Sequence, residues 1–112
     1  MAAEMFSTLK DILKPYEPDF HVKRDTADNY YLETMTADGT PEMFAAVQVK
    51  KSYVSFHLFP VYLDPALLDE ISDALRKRMQ GKSCFNFGPK HIIPVDDMTS
   101  LVAQCAAFSK KR

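Results

Sequence analysis

The segment Tyr-Val-Ser-Phe-His-Leu-Phe at positions 53–59 constrains the fold more tightly than any other part of the chain. Side chains on a β-strand point alternately to opposite faces. Val54, Phe56 and Leu58 therefore belong to one face, and Tyr53, Ser55 and His57 to the other. A second strand-forming run, Met43–Val49, precedes it across the short polar link Lys50-Lys51-Ser52, and this arrangement predicts an antiparallel hairpin. In 43–49 the set Met43, Ala45, Val47 and Val49 alternates with Phe44, Ala46 and Gln48. In 83–87, Phe85 and Phe87 alternate with Cys84 and Asn86. The more apolar sets are expected to meet the helices. Tyr53, Ser55, His57, Gln48, Asn86 and Lys82 are expected to share the opposite, polar-aromatic face.

Helical periodicity frames these strands. Met5, Leu9, Ile12 and Leu13 form one stripe of a 3.6-residue period, and Pro15 ends that helix by removing a backbone donor. Two weaker strand runs follow, at 20–24 and 29–36, the second ending at the turn signal Ala37-Asp38-Gly39-Thr40-Pro41. Asp64 before Pro65 reads as a helix start. Leu67, Leu68, Ile71, Leu75 and Met79 then predict one helix, ended by Gly81. A last helix is expected after Pro94, capped by Asp96 or Asp97, with Met98, Leu101, Val102, Cys105 and Phe108 on its buried side. The order is α-β-β-β-β-α-β-α. Short turns favour an antiparallel sheet, and amphipathic helices need a face to cover. The expected class is α+β: a two-layer sandwich, mainly antiparallel, with helices on one face.

Composition narrows the function. The 112 residues fit one domain spanning 1–112, and 46% hydrophobic content with eight Phe and five Tyr can build a core. Residues 1–64 hold six Lys/Arg against ten Asp/Glu, and residues 65–112 hold eight against five, for a net charge of −1. Nucleic-acid binders carry a basic footprint, so no nucleic-acid partner is expected. No apolar run of membrane-spanning length occurs, and the N-terminal stretch lacks the basic-then-apolar order of a secretory signal. A cytoplasmic protein without a membrane partner is expected. The two cysteines, Cys84 and Cys105, are too few for a disulfide scaffold.

Gly81-Lys82-Ser83 matches the end of a phosphate loop. However, Arg76 stands where that motif needs glycine, and a helix precedes the triplet while a strand follows it, the reverse of the required order. Cys84 and His57 would form a thiol–imidazole pair if their strands are neighbours. His21, His57 and His91 have no metal-site spacing, and no metal or cofactor is expected.

The order of Phe56-His57-Leu58-Phe59-Pro60, a helix, Gly81-Lys82, Phe85 and Phe87, then Pro94 before a final amphipathic helix, resembles the YdhG-like family of small bacterial and fungal domains of unknown function. The resemblance covers about residues 31–108. It implies a compact α+β domain in which Gly81, Lys82 and Phe87 match the family's strand motif. Some members are described as frataxin-like iron-handling proteins, so the resemblance also implies iron binding as an alternative; Glu4 and Asp11 are the carboxylates on the first helix.

The leading expectation is a non-enzymatic module that binds a small molecule or protein, with a homodimer as one form of partner. Its open sheet face would use Tyr53, Ser55, His57, Lys82 and Asn86, with Lys82 as an anion contact. Iron delivery, and a thiol-dependent enzyme using Cys84 with His57, are the alternatives.

Overall fold

A computed structural model describes residues 2–111. Helix α1 spans Ala2–Leu13, and a 3₁₀ turn at Lys14–Tyr16 follows where Pro15 interrupts the α pattern. Strands β1 (His21–Asp25), β2 (Asn29–Met35), β3 (Pro41–Val49) and β4 (Val54–Leu58) come next. Short helices α2 (Pro60–Leu63) and α3 (Asp73–Arg76) lead to β5 (Met79–Gln80), β6 (Cys84–Phe87) and the long α4 (Val95–Lys111). The six strands form one antiparallel sheet in the order β1-β2-β3-β4-β6-β5. One face carries the helices, giving the two-layer α+β architecture.

The core follows the period-two pattern. Val54, Phe56 and Leu58 of β4 are buried with Phe85 and Phe87 of β6, Val47 of β3 and Leu32 of β2. Phe6, Leu9, Ile12 and Leu13 of α1, and Met98, Leu101, Val102 and Cys105 of α4, close over them. Each large apolar side chain so buried contributes roughly 1.5–3 kcal/mol relative to exposure.

Alternation in β3 fails at one point. Leu32 pairs with Ala45, but Glu33 pairs with Met43, so β3 carries one extra residue, Phe44. A bulge of this kind reverses the phase of the strand beyond it. Phe44 turns into the core, fully buried, and its ring stacks on Phe20 with centroids 4.0 Å apart. Met43, expected among the core set, instead pairs with Glu33 beyond the bulge and stays outside the core cluster.

The single helix expected between Asp64 and Gly81 is absent. Asp64 does cap, its carboxylate accepting from Ala66 N at 3.3 Å, but it starts only a 3₁₀ turn at Pro65–Leu68. Ser72 then opens α3 by accepting from Leu75 N at 3.2 Å, and the Arg76 guanidinium donates to Leu68 O at 2.9 Å. Ser72 competes for the backbone and restarts the chain there. Met79 leaves the helical stripe for edge strand β5, and Gly81, at φ +77°, opens the three-residue turn into β6 rather than capping a helix. At the last helix, Val95 is the first residue, so Asp96 and Asp97 lie inside the first turn and favour the positive end of the dipole.

Phe44→Ala should destabilise the protein by about 3–5 kcal/mol, as expected for a buried phenylalanine. Met43→Ala should cost below about 1 kcal/mol, in the range of substitutions away from a packed core. Urea unfolding of the two variants checks the bulge, because unbroken alternation predicts the opposite ranking.

Candidate functional site on the open sheet face

Cross-strand register builds the face opposite the helices from two rows. One row runs Tyr31, Ala46, His57, Cys84 and Gln80. The other runs Asn29, Gln48, Ser55 and Asn86. Strand β1 extends the first row to Arg24, which pairs with Tyr31, so the charged side chain of these rows lies at the sheet edge, three strands from His57. Beside them, the Lys23 ammonium sits 3.5 Å from Glu33 and 5.2 Å from the Tyr31 ring centroid.

Ala46 and Ser55 are buried although they lie outside the helix-side core cluster. The Ser55 hydroxyl donates to Gln48 O at 3.5 Å. His57 and Cys84 face each other across β4 and β6, with Nε2 and Sγ 3.6 Å apart. The Cys84 thiol donates to Asn86 Oδ1 at 3.1 Å. Both members of the pair are half-buried.

That burial sets their protonation. Desolvation, joined by the positive charge of Lys50, lowers the His57 pKa from its ordinary 6.5. Desolvation raises the Cys84 pKa from 9.0, and Lys50 and the Phe56 backbone only partly oppose it. Both shifts favour uncharged forms, so the resting state is a neutral thiol beside a neutral imidazole. Cys105, on the buried side of α4, is pushed up to about 12 by burial and by Asp64, as fits a packing residue.

The structure thus brings together Ser55, His57 and Asn86 and adds Cys84. It does not bring Tyr53 or Lys82 to them. Tyr53 lies in the bend before β4 and lines a cavity of about 100 Å³ with Met5, Val54 and Phe87. Lys82 lies in the β5–β6 turn, its ammonium 6.0 Å from the Tyr62 ring centroid and beside a groove of about 540 Å³. At about 3.3 Å per residue, these positions flank β4 roughly 20 Å apart. A surface depression of about 570 Å³ surrounds the β2–β3 turn at Thr34–Thr40, away from the histidine–cysteine pair. Tyr31 joins the face unforeseen; alternation of Tyr30 and Leu32 with Tyr31 and Glu33 was the available signal.

Among the described residues, no group of three or more His, Cys, Asp or Glu side chains comes together to hold a metal ion. No helix among them is long and apolar enough to cross a membrane. Comparisons with family models, curated proteins and solved structures find no match to this chain.

Neutral forms of both groups stabilise the fold between pH 6.5 and 9.0. Below 6.5 the unfolded chain takes up the histidine proton more readily than the folded one, so stability falls on acidification. Above 9.0 the unfolded chain releases the thiol proton more readily, so stability falls again. The double variant His57→Gln/Cys84→Ser should flatten both limbs in unfolding measured from pH 5 to 10. Unchanged limbs would assign them to other groups.

Proposed function

We propose that this domain is a non-enzymatic module that binds a small molecule or protein through its open sheet face. His57 and Asn86 make the contacts, and Ser55 sets the surface beneath them. The observation that carries this reading is the concentration of uncharged hydrogen-bonding side chains around a neutral His57–Cys84 pair on a face without helices. Such a surface offers donors and acceptors while burying little charge, as the centres of interfaces do. Lys82 serves as an anion contact at the far end of β4, beside Tyr62, rather than within this cluster. The resemblance to the YdhG-like family implies a small α+β domain and adds no activity.

A thiol-enzyme reading is favoured by one observation, the 3.6 Å approach of His57 Nε2 to Cys84 Sγ. A nucleophilic cysteine needs a lowered pKa, and here burial acts in the other direction. Iron delivery draws little support, because Glu4 and Asp11 sit on α1, across the sheet from the histidine–cysteine pair.

Titration of ¹⁵N-labelled protein with a library of small neutral polar fragments should shift the amides of Gln48, Ser55, His57 and Asn86. His57→Ala should abolish those shifts. Shifts confined to the Tyr62–Lys82 groove, or none at all, would defeat the reading. Iodoacetamide should alkylate Cys84 at pH 7.5 more slowly than free cysteine. A rate well above that of free cysteine would instead favour the thiol enzyme.

A further inference from the structure

A tetrahedral zinc ion imposes one distance that this face can be compared with. With Zn–S near 2.3 Å and Zn–N near 2.0–2.1 Å, the tetrahedral angle separates the two donor atoms by about 3.6 Å. Cys84 Sγ and His57 Nε2 stand 3.6 Å apart. Their strands are paired in register at these two residues, so the backbone ladder itself sets the bite. Two donors are half of a tetrahedral set, and no third acidic, histidine or cysteine ligand joins them among the described residues.

We propose that Cys84 and His57 form one half of a Zn²⁺ site, and that a second copy of this chain, related by a two-fold axis through the metal, supplies the other half. This names the ligand and partner of the open face and rests on that face being a binding surface.

Three features of the molecule fit a second copy. A two-fold axis presents the same patch on both subunits, so it turns one Cys-His pair into Cys₂His₂ without any further residue. A metal held by a cysteine lies about 5 Å above its strand, which puts the facing sheet about 10 Å away, the usual spacing of packed sheets. On β3, β4 and β6 the two rows that would meet hold Ala46, Gln48, Ser55 and Asn86 around the pair and no charged side chain; Arg24, paired with Tyr31, lies at the β1 edge, and the Glu33 carboxylate already has Lys23.

Charge and protons balance. Each Cys84 releases its S–H proton to solvent, and each His57 stays neutral with its proton on Nδ1 and the Nε2 lone pair on the metal. Two thiolates cancel the charge of one Zn²⁺, leaving a neutral centre between the sheets. Asn86, 3.1 Å from Sγ as an acceptor, turns its amide so that Nδ2–H donates to the thiolate, the kind of outer contact that orients metal ligands. Lys50 opposes the cation, but it lies in an exposed turn where water and salt screen it.

The test is zinc titration by calorimetry with sedimentation of the same samples. The expected result is one Zn²⁺ per two chains, a dimer that EDTA returns to monomer, and tetrahedral d–d and thiolate-to-metal bands in the Co²⁺ form. Cys84→Ser and His57→Gln should each weaken zinc binding more than ~100-fold, since even outer-shell losses cost 10–100-fold, and should abolish the dimer. Circular dichroism of both variants confirms that they fold, and the wild-type stoichiometry and Co²⁺ spectrum stand without them. Binding weaker than about 1 mM, one zinc per monomeric chain, or affinity unchanged in both folded variants would overturn the proposal. If zinc fails while neutral fragments still map to His57 and Asn86, the metal is lost and the binding face survives; if both fail, the face is lost as well.

Discussion

The apolar row Tyr30–Val47–Phe56–Phe85, running across four strands, is the constraint from which the other features follow. These residues pair in register and are all fully buried. Because the side-chain period is two, fixing this row on the helix side forces the adjacent row, Tyr31–Ala46–His57–Cys84, onto the other face. A one-residue slip would place His57 under the helices and Phe56 in water. The core and the candidate site are therefore consequences of the same pairing, and the site inherits the rigidity of the most buried part of the molecule.

Phe44 marks where that simple geometry gives way. Strict alternation would turn this phenylalanine outward onto the polar face, while Phe20 and Tyr16 in the chain between α1 and β1 would lack a partner on the sheet. The extra residue in β3 resolves both problems by turning Phe44 inward, where its ring stacks on Phe20 and tilts against Tyr16. The gain in apolar burial outweighs the locally disrupted ladder, and the backbone carbonyl of Phe44 still accepts from Phe59 N at 3.0 Å. The bulged Phe44 also lies two residues from Ala46, so it bounds the open face where β3 leaves the regular pattern.

Local patterns read the strands well and the 60–80 segment poorly, for a physical reason. In β4 and β6 each side chain's direction depends only on its neighbours along the strand, so Ser55, His57, Cys84 and Asn86 could be grouped from sequence. Between Pro60 and Gln80 the apolar residues sit at helical spacing, yet a helix there competes with caps at Asp64 and Ser72 and with the pairing of Met79 to Phe85. That last interaction is long-range and has no signature in a window of the chain. The same blindness to distance placed Tyr53 and Lys82 in the site: both alternate or neighbour correctly in sequence, but each lies beyond an end of β4.

A histidine 3.6 Å from a cysteine fits both nucleophilic and metal-binding chemistry, and the surroundings separate them. A thiolate nucleophile in its resting state must be stabilised by positive charge or by donors, whereas here the principal influence on both groups is loss of water, which favours their neutral forms. The hydrogen bond from the thiol to Asn86 Oδ1 places an acceptor, not a donor, against the sulfur. A bound cation changes that balance because it brings its own charge to the desolvated thiolate. The features that make this pair a poor resting nucleophile are thus compatible with a ligand that is itself electrophilic, and they connect the neutrality of the His57–Cys84 pair to the kind of partner that it can hold.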